Sequence, residues 1–145
     1  MIEGWPLPST DDPVDAAFWE AALRGQVAIE RCSSCSRLRF PPRPMCPWCQ
    51  SVDAEWVVMS GRGKIWSFAR PHPPLIPVFA ELAPYPVVVV ELEEDPTIRL
   101  VGNVVSSEDG EINEVPIGDL AIGKPVRAVF HPAADDVRLI RWVLD

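Results

Sequence analysis

Cys32-Ser33-Ser34-Cys35, ten intervening residues, and then Cys46-Pro47-Trp48-Cys49 form the stretch that decides how this chain folds. They are the only four cysteines in 145 residues. Each C-x-x-C pair can present two sulfurs from one tight turn, and a short connection can bring the two turns together. A tetrahedral ion with Zn–S distances of about 2.3 Å requires that arrangement. The competing readings are a disulfide pair and iron bound as in rubredoxin. A reduced cytosolic chain disfavours the disulfides, because C-x-x-C bridges in that compartment are usually catalytic. With all four positions filled by protein, no place remains for water or substrate, so the expected zinc is structural rather than Lewis-acidic. Its binding free energy couples to the ordering of about 20 residues that have too few apolar side chains to form a core. Ser36 and Gln50 stand where such turns usually prefer glycine, which predicts slight backbone strain.

Working outward, Gln26 to Arg31 reads as a strand entering the cysteines, and Arg39-Phe40-Pro41-Pro42 spaces the two pairs in extended conformation. The unit is therefore a ribbon and not a helical finger. Upstream, Asp12-Pro13-Val14-Asp15 predicts an N-cap, a proline at the first helical position and an early acid, with Gly25 as the stop after about three turns. Phe18 and Trp19 on this helix must dock, on this protein or its dimer mate, or else on a different partner. Downstream, Trp56 to Met59, Lys64 to Arg70, Pro86 to Glu93, Ile98 to Val105, Pro125 to His131 and Val137 to Leu144 are strand-like and point to a barrel of five or six strands. Val87 to Val90 reads as a strand buried on both faces, and Trp66 and Phe68 as core residues. Six prolines between Pro71 and Pro86 exclude a central strand there and predict a stiff, exposed loop. The expected organisation is an N-terminal segment and helix (1–25), the ribbon (26–54) and the barrel (55–145), in a mainly β chain.

The formal net charge is -8, but residues 31 to 70 carry seven basic side chains against two acidic ones. An anionic ligand should meet this middle region, although scattered solvated arginines would give the same count. No apolar run is long enough to cross a bilayer, and the acidic N-terminus lacks the form of a signal peptide, so a cytoplasmic location without membrane contact is expected.

The helix with Phe18-Trp19, the cysteine pairs flanking Arg39-Phe40-Pro41-Pro42-Arg43-Pro44, Ser60-Gly61-Arg62-Gly63 and Ser67-Phe68 together resemble the acyl-CoA-associated OB-fold proteins with an N-terminal rubredoxin-like zinc ribbon. That family was first defined as a domain of unknown function. The resemblance runs from about residue 12 to residue 144. It implies a five-stranded OB-fold after the ribbon, and a non-catalytic subunit that sits beside a thiolase-fold enzyme, such as a thiolase, an acyltransferase or a lipid-transfer-protein-like aldolase, and helps to hold acyl-CoA.

Independently of the family, Arg39, Arg43, Arg62, Lys64 and Arg70 could meet the phosphates of CoA, and Trp66 or Phe68 could flank adenine or pantetheine. The alternative is an OB module for single-stranded nucleic acid. The thirteen acids after residue 70 oppose it, because counterion release needs an uninterrupted basic track. An enzyme in its own right would need a nucleophile, a base and an oxyanion site. His72 and His131 are the only histidines, and no nucleophile-elbow or phosphate-loop motif occurs. His72, in the Pro-rich loop, is the one candidate to reach a partner's active site.

Overall fold

The computed structural model describes residues 4–145, so residues 1–3 of the Pro-rich start, including Glu3, lie outside the described residues. Helix α1 (Ala16–Leu23) begins later than predicted. Asp12 does accept from the chain ahead of it, taking the Val14 N–H at 2.9 Å on its carboxylate and the Ala16 N–H at 2.8 Å on its carbonyl. These bonds close turns across residues 12–15, and the helix proper follows with two turns rather than three. Gly25 (φ 73°) ends it in the left-handed conformation expected of a glycine stop. Phe18 is buried, with ring centroids 5.0 Å from Trp19 and 5.5 Å from Phe40, so the helix docks on its own chain.

Strands β1 (Ala28–Cys32), β2 (Leu38–Arg39) and β3 (Ala54–Val58) form an antiparallel sheet in the order β2-β1-β3. The Trp56 strand, read as part of the barrel, pairs with β1 along its whole length, from Ala28 opposite Val58 to Cys32 opposite Ala54. The ribbon is thus closed by a strand that follows it in sequence.

The five strands β4 (Arg62–Ala69), β5 (Val87–Leu92), β6 (Arg99–Asn103), β7 (Pro125–Ala134) and β8 (Val137–Leu144) form one antiparallel sheet in the order β6-β5-β4-β7-β8. The sheet curls until its edge strands meet, but no ladder closes it. A single bridge joins Val104 to Trp142, with Val105 N–H donating to the Trp142 carbonyl at 2.8 Å. Beside the bridge, a Cβ built on Gly102 would stand 3.0 Å from Trp142 Nε1 and 3.2 Å from the Ile140 carbonyl oxygen, so a side chain there would require the seam to give by a few tenths of an ångström. The core inside the curl contains Ile65, Val88, Val90, Leu100, Val126 and Trp142, and it extends to Phe18, Val27 and Ile29 under the helix and ribbon.

Three expectations change with this geometry. Val87 to Val90 alternates between half-buried and buried, so β5 has one core face rather than two. Trp66 and Phe68 are 45% and 38% exposed, not core, because they share the outward face of β4 with Arg62 and Lys64, while Gly63 and Ile65 alternate inward. The Pro71–Pro86 segment is only partly exposed. It carries the short helix α2 (Pro77–Ala80) and packs Leu75, Phe79, Leu82 and Tyr85 into a second cluster with Val105, Ile112 and Val143. Prolines bar a segment from a sheet interior without barring its apolar side chains from a core. Among the described residues no helix is long and apolar enough to cross a membrane.

Candidate metal centre and charged surfaces

The two cysteine turns are built alike. Ser36 N–H donates to the Cys32 carbonyl and Gln50 N–H to the Cys46 carbonyl, both at 2.9 Å. Cys32 N–H and Cys46 N–H reach Arg37 and Ser51 carbonyls at 3.0 and 2.8 Å. Ser36 and Gln50 both have φ 65°, the left-handed conformation that their positions in the sequence predicted. Sheet pairing of β1 with β2 and β3 then fixes the first turn relative to the second.

All four Sγ atoms lie within 4.8 Å of one another, with Cys32 to Cys49 at 3.5 Å and Cys35 to Cys46 at 3.6 Å. Sulfurs about 2.3 Å from a tetrahedral zinc stand about 3.8 Å apart, so the cage has the right size, while a disulfide needs about 2.05 Å. The titration behaviour agrees. The Cys35 N–H, 3.5 Å from Cys32 Sγ, leads the effects that hold that thiol down at about 6. Cys49 is pulled down by the Ser51 N–H, yet the neighbouring Cys32 sulfur and burial push it up to about 11. Four thiols this close ionise together only around a cation. Bound there, zinc would be a structural cross-link held by Cys32, Cys35, Cys46 and Cys49.

The cations proposed for a CoA ligand do not form one patch. Arg39 is 3% exposed, and its Nε donates to Glu30 at 2.5 Å while its Nη2 donates to the Arg43 carbonyl at 3.1 Å. Arg39 is an internal strut of the ribbon, and its charge is neutralised by Glu30 on the adjacent strand. A basic residue directly before an aromatic and two prolines reads equally as a surface cation or a buried anchor, and only the cross-strand acid, opposite it in register, distinguishes them. Arg43 is exposed. Arg62 and Lys64 line one groove with Glu91, Glu93 and Asp145. Arg70 is exposed beside Phe68 and Ile117, roughly 20 Å along β4 from Lys64 at about 3.3 Å per residue. His72 is exposed.

Two pairings escaped the sequence reading. Arg99, on β6, stacks 3.9 Å over Trp66, and Arg37 lies 5.1 Å over Trp48 on the second cysteine turn. Neither partner is near the other in sequence, so only the folded register brings them together.

Comparison with known proteins matches the ChsH2 rubredoxin-like zinc ribbon domain to residues 19–53 and the ChsH2 C-terminal OB-fold domain to residues 56–131. The chain belongs to the ChsH2 family. ChsH2-type zinc binding is therefore the reading for the four-cysteine cage. Among its relatives, a probable enoyl-CoA hydratase alpha subunit of Thermomonospora curvata is 41% identical over 77% of this chain and 32% of its own length. The chain thus spans about a third of that relative. A DUF35 domain-containing scaffold protein of Methanocaldococcus jannaschii is 32% identical over 73% of this chain and 68% of its own. Among solved structures, the chain resembles one in an Ltp2-ChsH2(DUF35) aldolase with a TM-score of 0.78 and 32% identity, over 94% of this chain and 98% of that one.

Proposed function

We propose that this ChsH2-family chain is a non-catalytic accessory subunit that binds CoA thioesters and forms a complex with a thiolase-fold enzyme, whether a thiolase, an acyltransferase or a lipid-transfer-protein-like aldolase. The observation that carries this reading is the near full-length likeness, on both sides, to a chain of an Ltp2-ChsH2 aldolase. The residues support it. Among the described residues the cysteines gather at the metal cage, His72 is an exposed loop residue, His131 sets Nδ1 against the Glu108 carbonyl at 2.9 Å, and no nucleophile is hydrogen-bonded to either imidazole. Arg62 and Lys64 share a groove that could take the phosphates of CoA, with Arg43 and Arg70 as separate outlying cations.

Co-expression with a thiolase-fold subunit encoded beside it tests the complex, and the expected result is a single larger species on size exclusion with higher activity or stability of the enzyme. Hydration or hydrolysis of acyl-CoA by the purified chain alone would overturn the non-catalytic reading. CoA binding is tested separately by calorimetry. The expected affinity is modest and falls with salt over the range where the screening length shrinks from about 10 Å toward 3 Å. Unchanged binding in an Arg62→Ala/Lys64→Ala double variant would remove that groove from the reading.

A further inference from the structure

Arg141, on β8, is 4% exposed, yet among the described residues it forms none of the ion pairs, which join Arg31 to Glu55, Arg39 to Glu30 and Arg127 to Asp145. Its Nη1 donates to the Gly110 carbonyl at 3.2 Å, and its guanidinium carbon stands 5.3 Å from the centre of the Trp5 ring. A guanidinium has five N–H donors, and a buried charge without a counter-ion is costly. Burial pushes the Arg141 pKa down, and the negative charge of Glu111 works against it from beyond ion-pair distance. Among the described residues the fully enclosed polar atoms without partners belong to Asp15, Arg39 and Trp142, so the remaining Arg141 donors are not among them. They open on a cavity of about 320 Å³ lined by Trp5, Asp109, Gly110, Glu111, His131 and Arg141.

We propose that this cavity is a binding site for a small monocarboxylate, gripped by the Arg141 guanidinium and covered on its apolar side by Trp5. The lip selects the charge class. Asp109 and Glu111 together outweigh the charge of Arg141, so a dianionic phosphate meets twice the net repulsion of a single carboxylate, which also fits the planar guanidinium through two parallel hydrogen bonds. The Glu108 carbonyl can only accept, so it takes the His131 Nδ1–H, which is thereby committed to the backbone. Among the described residues Arg141 is the one arginine or lysine lining the cavity. The carboxylate could belong to a free acid or to the C-terminus of a bound polypeptide.

The test is side-chain arginine NMR on the zinc-loaded full chain, with the Arg141 Nε–H signal assigned through Arg141→Lys. The probes are acetate, inorganic phosphate, and a short peptide with either a free or an amidated C-terminus. The expected result is a saturable shift of that one signal with acetate and with the free peptide, a far smaller one with phosphate, and none with the amide. Tighter binding of acetate or of the free peptide identifies which source the site takes. Glu111→Gln is expected to tighten acetate several-fold by removing the nearer repulsion. The proposal is overturned if acetate moves exposed arginines as much as Arg141. It is also overturned if Glu111→Gln or Glu3→Gln shifts the unliganded Arg141 signal and destabilises the chain, since the counter-ion would then be internal.

Discussion

Ser36 and Gln50 hold left-handed backbone in both cysteine turns, where a side chain costs roughly 1–2 kcal/mol and glycine's extra chain entropy costs about 0.5–1 kcal/mol. The balance favours glycine. Ser36→Gly and Gln50→Gly should each stabilise the zinc-loaded ribbon by about 0.5–1 kcal/mol, read as a higher chelator concentration for half release of metal. The neighbouring strut works the other way. Glu30 and Arg39 are a buried pair, so removing either one strands a charge, and Glu30→Ala or Arg39→Ala should lower stability by about 3–5 kcal/mol in urea. The apolar double replacement Glu30→Leu/Arg39→Met should cost much less. At this scale the metal ligands and both strained positions were legible, since spacing and residue type define them. Arg39 was misread because charge in a sequence carries no depth.

At the scale of elements, β4 is the strand on which the barrel depends, since it pairs with β5 on one side and β7 on the other. Gly63 lies between them, where a Cβ would stand 2.3 Å from the Glu91 carbonyl oxygen and 2.6 Å from Val90 Cγ1. Backbone cannot retreat from both. Gly63→Ala should cost about 3 kcal/mol or more by chemical denaturation, while Gly118→Ala, with nothing within 4 Å of the new methyl, should stay within about 0.5 kcal/mol. The strands themselves were readable from alternation and turn residues. The late start of α1 was not, because Asp12-Pro13 closes a turn with the same chemistry that caps a helix. The folded Pro71–Pro86 segment was missed because proline content describes its backbone and not the burial of Phe79 and Tyr85.

Over the whole molecule, zinc should order more than its own two turns. One equivalent of metal per chain is expected, and stripping it should expose the amides of β1 and β3 to hydrogen exchange while β5, β7 and β8 stay protected, because β1 joins the first cysteine turn to β3. Protection of β3 unchanged by chelation would show that the barrel holds it alone. The fold class was legible at this scale, while the allegiance of β3 was not, since a strand's partner is a long-range fact that its own pattern does not carry. That allegiance also limits how the chain can be divided. The family matches stop at residue 53 and resume at 56, inviting a cut there, yet a barrel freed at that point would keep β3 as a bare flap with Trp56 and Val57 uncovered. Unpaired apolar strands recruit copies of themselves, so such a fragment should aggregate. Recombination between relatives would more safely exchange ribbon and barrel as one inherited block.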